Sequence, residues 1–148
     1  METARVHRVT SAPDLAAALA VRHTVFVLGQ NVPATLEQDA HDHTDATHYL
    51  AVAADGTPCG AARWRTTENG VKLERFAVLA DYRNQQAGAA LLRQVLLDVD
   101  AAHPTATVYL NAQLPAVRFY ERHGFRAEGP QFEEGGLQHY KMVWQRPA

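Results

Sequence analysis

Hydrophobic and polar positions change period several times along the chain, and each change marks an element. Arg5 to Val9 reads as a short strand with Val6 and Val9 apolar. Ser11, Pro13 and Asp14 then form a helix-start signal: a capping hydroxyl, a proline in the first turn and an early acid. Leu15, Leu19, Arg22 and Phe26 follow at helical spacing, which predicts one helix to about Val27. From Leu28 to Thr47 the pattern is lost in a polar segment. It is long for a plain connection and is expected to be functional or built from small turns.

Regular patterning returns at Tyr49. Tyr49 to Ala54 is a buried-strand run, Asp55-Gly56 is a hairpin turn, and Pro58 to Thr66 is the partner strand. Asn69-Gly70 makes a second tight turn before a third strand from Val71 to Leu79. A helix from about Gly88 to Ala102 carries Leu92, Val95, Leu96 and Val99 as its apolar stripe, and His103-Pro104 stops it. Thr107 to Leu110 reads as a short buried strand and Leu114 to Arg122 as a helix closed by Gly124. Phe125 to Ala127 is a short strand, Glu134-Gly135-Gly136 a turn, and Gln138 to Trp144 the last strand. The unit from Val71 to Leu110 needs a parallel pair, while the hairpins need antiparallel ones. The expected fold class is α/β (α+β), one domain over residues 1–148, with a central mixed, mostly antiparallel sheet and helices on both faces.

Composition narrows the chemistry. The 148 residues are 47% hydrophobic and 20% charged, with net charge −2, which argues against a nucleic-acid partner. No apolar run is long enough for a membrane span, and METARVHRVT lacks a secretory apolar core, so a cytoplasmic location is expected. The lone Cys59 excludes an internal disulfide and reads as a small buried hydrophobe. Among the eight histidines, His41, His43 and His48 sit with Glu37, Asp39, Asp42 and Asp45. Their spacing matches no closed metal template, so no metal is expected. These residues read either as a solvated loop or as a wall whose acids bind a cationic amine.

The segment from Leu73 to Leu92 carries the first chemical signal. A strand ends, a loop bears Arg83, and a helix begins beside Gly88. Free amides and the dipole at a helix start favour an anion, so a phosphate ligand is one reading and a plain strand-to-helix turn the other. The dinucleotide fingerprint G-x-G-x-x-G is absent.

Arg83-Asn84-Gln85-Gln86-Ala87-Gly88 resembles the acetyl-CoA-binding motif of the GNAT superfamily of N-acyltransferases, with Gln86 in place of its first glycine. Asn111, Ala116, Phe119-Tyr120 and Gly124-Phe125 resemble the second, more specific motif of that superfamily. Val25-Phe26, Gln30, Pro33, Glu37, Asp39 and Asp42 are similar to the small bacterial ElaA-like and YjcF-like branch.

The resemblance implies an acetyl-CoA-dependent N-acetyltransferase of GNAT-like fold acting on a small-molecule or peptide amine, with a homodimer possible. The alternative is a non-catalytic acyl-CoA-binding domain. It implies that the strands Val71–Leu79 and Thr107–Leu110 part, and that backbone groups of Phe76, Ala77 and Val78 pair with the pantetheine as an added strand. Arg83, Asn84, Gln85, Gln86, Ala87, Gly88 and Ala89 would hold the pyrophosphate, with Asn111 and Phe119 on the opposite side. Gln86 would need a backbone angle that favours glycine. Tyr120 is the expected acid for the leaving thiolate. Neutralising an alkylamine at pH 7 costs about 4.6 kcal/mol, which calls for a base. Glu74 is the first candidate, with a carboxyl pKa raised by burial, unless it pairs with Arg63 or Arg75. His139 is the second. Glu37, Asp39, Asp42 and His139 are the expected acceptor-binding residues.

Overall fold

The computed structural model describes residues 4–147, and of Asn84 only the backbone. Its strands are β1 (Arg5–Arg8), β2 (Thr47–Val52), β3 (Pro58–Thr67), β4 (Gly70–Val78), β5 (Val108–Gln113), β6 (Phe125–Glu134) and β7 (Leu137–Trp144). They form a sheet in the order β1-β2-β3-β4-β5-β7-β6. Helix α1 (Ala12–Arg22) packs on one face, against β2, β3 and β4, and α3 (Ala87–Ala102) contacts β1 to β4 from the other. Between them in sequence lies the short α2 (Ala34–Glu37), and α4 (Val117–Arg122) follows β5. The mixed α/β architecture with helices on both faces is therefore as the pattern predicts.

Two cores result. Leu91, Leu92, Val95 and Val99 of α3 bury against Tyr49, Trp64, Val71, Leu73, Val108 and Met142. Ala18 and Val21 of α1 bury with Val25 against Leu50, Ala61 and Ala77 on the opposite face. Burial at these positions is what makes the alternation of β2 to β4 readable, since successive side chains enter different cores.

The β3–β4 hairpin pairs Thr67 with Gly70, Arg65 with Lys72 and Arg63 with Glu74. Gly70 has φ 129, and a side chain there would collide with the Thr107 carbonyl. That close approach starts the parallel pairing of β4 with β5, where the Val71 N–H donates to Thr107 O at 2.8 Å. The pairing covers only Val71–Leu73 against Val108–Leu110. Register then shifts on the other edge: Arg63 faces Glu74 but Ala61 faces Ala77, so Arg75 and Phe76 together oppose Ala62. This is a β-bulge, and Arg75 within it has φ 59. Beyond it β4 and β5 part.

Four elements differ from the sequence pattern. The first helix is not uniform: His23–Leu28 forms a π-helix after α1, and its end is tied when the Gly29 N–H donates to the Thr24 and Phe26 carbonyls. The loop before α3 is wound into a 3₁₀ helix, Ala80–Gln85. β5 runs on to Gln113 because β7 pairs it through His139. β6 reaches Glu134, since Gly129 and Pro130 fall in a register irregularity on an edge strand, where a missing N–H is tolerated.

Candidate active site

The gap between β4 and β5 opens into a cleft of about 580 Å³. Its walls bring together Glu74, Phe76, Ala77, Val78, Arg83, Asn111, Tyr120 and His139, together with Glu37 and Asp39. Asp42 does not reach it.

At one end, α3 begins from Gln86, whose φ is 58. This is the left-handed angle the glycine replacement implies, and Gln86 meets it with its side chain exposed. The first-turn amides of Ala87, Gly88 and Ala89 sit at the helix end, where donors lack intrahelical carbonyls. Gly88 keeps open the space before Phe119, whose ring lies 3.7 Å from where a Cβ would stand. The Arg83 Nε donates to the Val78 carbonyl at 3.3 Å, which holds its guanidinium at the end of β4. Backbone left unpaired where β4 and β5 part, a helix start and an arginine together fit a phosphate-bearing thioester such as acetyl-CoA. The Asn84 side chain lies outside the described residues, and Gln85 is half-buried between Arg83 and the helix start.

Tyr120 lines the cleft. Its ring packs edge-on against Phe76, Phe119 and Phe125. Burial pushes its phenol above the ordinary tyrosine range, so it remains a hydrogen-bond donor at neutral pH. Across from it, the Asn111 Nδ2 donates to Glu134 at 3.2 Å. His139 is buried and stacks on Phe132 at 5.7 Å. Its Nδ1 lies 2.8 Å from the Leu137 carbonyl. A carbonyl only accepts, so Nδ1 carries the proton and Nε2 keeps a lone pair in the neutral ring.

Glu74 requires a correction. The expectation was a carboxyl pKa raised by burial. Burial does act in that direction, but hydrogen bonding from Arg65 and the charges of Arg63 and Lys72 outweigh it and hold the pKa below the ordinary glutamate range. The pairing with Arg63, at 3.0 Å, is present, and Arg65 joins it at 2.8 Å. A carboxylate so held is a poor proton acceptor.

The acidic segment is committed to arginines in the same way. Arg22, almost fully buried, pairs with Glu37 at 2.8 Å and with Asp42 at 2.7 Å. Arg63, also buried, pairs with Asp39 at 2.8 Å and with Asp42 at 2.6 Å. Asp39 and Asp42 form a capping box for the 3₁₀ turn Ala40–His43. The His48 Nε2 donates to the Asp42 carbonyl at 3.0 Å. Among the described residues, no group of three His, Cys, Asp or Glu side chains is arranged to hold a metal ion. Cys59 is fully buried, and burial pushes its thiol up.

Sequence reasoning passed over Arg65 and Lys72, which line the cleft, and Gln113, whose Nε2 donates to the Gln30 Oε1 at 2.9 Å across its mouth. The signal for the first two was present in the hairpin. An Asn69-Gly70 turn sets Arg65 opposite Lys72 and Arg63 opposite Glu74.

Known proteins resemble this chain in sequence and in fold. The family described as "Acetyltransferase (GNAT) domain" matches residues 12–146. The chain is 36% identical over 125 residues to the uncharacterized N-acetyltransferase YjcF of Bacillus subtilis, covering 83% of this chain and 86% of that protein. It is 30% identical over 140 residues to the protein ElaA of Escherichia coli, covering 93% and 91%. The crystal structure of Escherichia coli ElaA superposes with a TM-score of 0.85 at 27% identity, over 97% of this chain and 100% of that one. An acyl-CoA N-acyltransferase from Pseudomonas aeruginosa superposes with a TM-score of 0.84 at 26% identity, over 97% and 100%. The match runs through the parted strands, the helix start and the tyrosine helix alike, and the chain belongs to the GNAT acetyltransferase family.

Proposed function

We propose that the protein moves an acetyl group from acetyl-CoA to a primary amine by direct transfer in a ternary complex. The observation that carries this reading is Tyr120, a buried phenol with no hydrogen-bonding partner among the described residues, lining the cleft where β4 and β5 part. Acetyl-CoA supplies an activated acyl carbon and a thiolate leaving group.

The chain's own groups divide the work. The helix start at Ala87 to Ala89 and Arg83 hold the phosphates, with Gln85 and Gln86 shaping the approach. The β4 backbone from Phe76 to Val78 pairs with the pantetheine, and the Val78 N–H, turned away from β3 by the register, steadies the carbonyl oxygen as charge develops. Asn111 and Phe119 close the other side. The amine nitrogen bonds to the acyl carbon as the carbon–sulfur bond breaks. Tyr120 O–H donates to the departing sulfur, and the amine proton passes to His139 Nε2, directly or through water. Glu74 acts as a positioning residue that fixes Arg63, Arg65 and Lys72. Gln86 does not favour the non-catalytic reading, because its backbone already takes the angle the motif needs.

Thermal shift with acetyl-CoA, followed by thiol release with a panel of amines, tests the proposal. A ligand at 100 times its Kd stabilises by about 2.7 kcal/mol. A shift with amine-dependent thiol release is expected. A shift with no amine-dependent release would leave only a binding domain, and no shift would remove the reading altogether.

A further inference from the structure

The end of the cleft away from Arg83 is walled by charge, and that wall is unequal in what it still offers. Its carboxylates are spent. Glu74 accepts from Arg63 and Arg65, and Lys72 lies 3.3 Å from its Oε2. Asp39 receives Arg63 on both oxygens, and Arg75 lies 3.4 Å from its Oδ2. Glu37 Oε2 accepts from Arg22, while its Oε1 has no partner but is closed to solvent. An incoming ammonium therefore finds no open carboxylate on this wall.

The cations are not spent. Arg65 bonds Glu74 through Nε and Nη2, and Nη1 has no partner among the described residues. Among the described residues, Lys72 makes a single ion pair, with Glu74. Arg75 bonds through Nε and Nη2 to the Glu37 and Leu36 carbonyls and to Asp39, which leaves Nη1. All three line the cleft, with side chains 19%, 19% and 23% exposed.

A second observation concerns Arg75 alone. It is the left-handed residue of the bulge, at φ 59, an angle unfavourable to a non-glycine residue. The bulge turns its guanidinium back over the Leu36 and Glu37 carbonyls at the cleft wall. Burial first, then the Arg63 and Arg22 charges, push its pKa down against the opposing charges of Glu74 and Glu37.

We propose that the acceptor is an amine that also carries an oxyanion, a carboxylate or a phosphate, received by Arg65, Lys72 and Arg75 while its amine faces Tyr120 and His139. Arg83 takes no part, since it lies beyond the opposite end of β4. The inference rests on the acyl-transfer reading above and deepens it.

Matched acceptor pairs test it. With acetyl-CoA saturating, kcat/KM is measured for β-alanine against β-alaninamide, and for 2-aminoethyl phosphate against ethanolamine. At least one anionic member is expected to be preferred roughly tenfold or more, as a charge-assisted hydrogen bond implies. The preferred pair identifies the oxyanion. Lys72→Met and Arg65→Gln are expected to shrink that preference while the acetyl-CoA thermal shift stays as in the unsubstituted protein. Equal or better use of the neutral members overturns the inference and leaves acyl transfer standing. A second measurement separates the two ideas. Calorimetric titration of N-acetyl-β-alanine and of its amide into CoA-saturated protein is expected to show binding of the carboxylate form and none of the amide. Selective binding without turnover of any amine supports the anion site and overturns acyl transfer. Equal binding of both overturns the anion site.

Discussion

Arg63 Nη1 and Asp42 Oδ1 lie 2.6 Å apart, and neither side chain reaches solvent. The pair joins the centre of β3 to the 3₁₀ turn that follows the cleft-lining Asp39. Burial works against the Asp42 carboxylate, but hydrogen bonds and charge from Arg22 and Arg63 overcome it and hold its pKa down to about 2, from 3.8. A carboxyl whose folded pKa is depressed contributes stability that is complete above its unfolded value and is lost as pH falls through the folded one. Asp42 is therefore expected to contribute about 2 kcal/mol that disappears between about pH 4 and pH 2. Urea midpoints measured from pH 5 to pH 2 are expected to fall through that window. A flat profile would contradict the pairing.

Tyr120→Phe removes the donor and keeps the ring packing against Phe76, Phe119 and Phe125. Because the donor acts mainly on the departing sulfur, kcat is expected to fall about 100-fold with KM changed little. Steady-state kinetics with a single amine would read this, and an unchanged kcat across the pH range would remove Tyr120 from the chemistry.

His139→Asn tests the proton acceptor. An alkylamine deprotonates by itself near its pKa of about 10.4. The loss in kcat/KM is thus expected to be large at pH 7 and to narrow as pH rises toward 10. Glu74→Gln is expected to lower activity without that narrowing, since the group ties cations and does not take the proton. If the two variants exchange these pH profiles, the assignment is reversed.

Gln86→Gly addresses the left-handed start of α3. A non-glycine residue at φ 58 costs about 1 kcal/mol. Its relief is expected to raise Tm by about 2–4 °C for a chain of this size. Gln86→Ala keeps the same angle penalty and is expected to give no gain. Scanning calorimetry of the two variants decides whether strain or side-chain contact sets the effect.

The elements that alternate or repeat strictly were legible in the chain. Leu92, Val95 and Val99 announced α3, and two Asx-Gly turns announced the β2–β3–β4 meander. The motif residues also located the cleft, because Arg83, Phe76 and Tyr120 lie along one opening. What stayed hidden depends on tertiary pairing. Nothing local marks Arg75 as a bulge residue, since arginine has no preference for φ 59 and only the mismatch with β3 imposes it. Glu37, Asp39 and Asp42 read as free acids until Arg22 and Arg63 arrive from distant elements. The direction of the Glu74 shift was missed for the same reason, since burial is visible in an apolar strand but three converging cations are not.

The bulge at Arg75 makes β4 two half-strands of opposite phase. Before it, the odd positions Val71 and Leu73 enter the α3 core; after it, the even positions Phe76 and Val78 do, and Ala77 turns to the α1 side. On the proposed reading, the half of the strand toward the acceptor and the half toward the thioester donor therefore keep separate registers. Side chains in the first half could then be exchanged for a new acceptor without rotating the backbone proposed to serve the thioester. Removing Arg75 would restore a single phase with Phe76 and Val78 still in the core they now fill, whereas straightening the strand with every residue kept would turn them out of it.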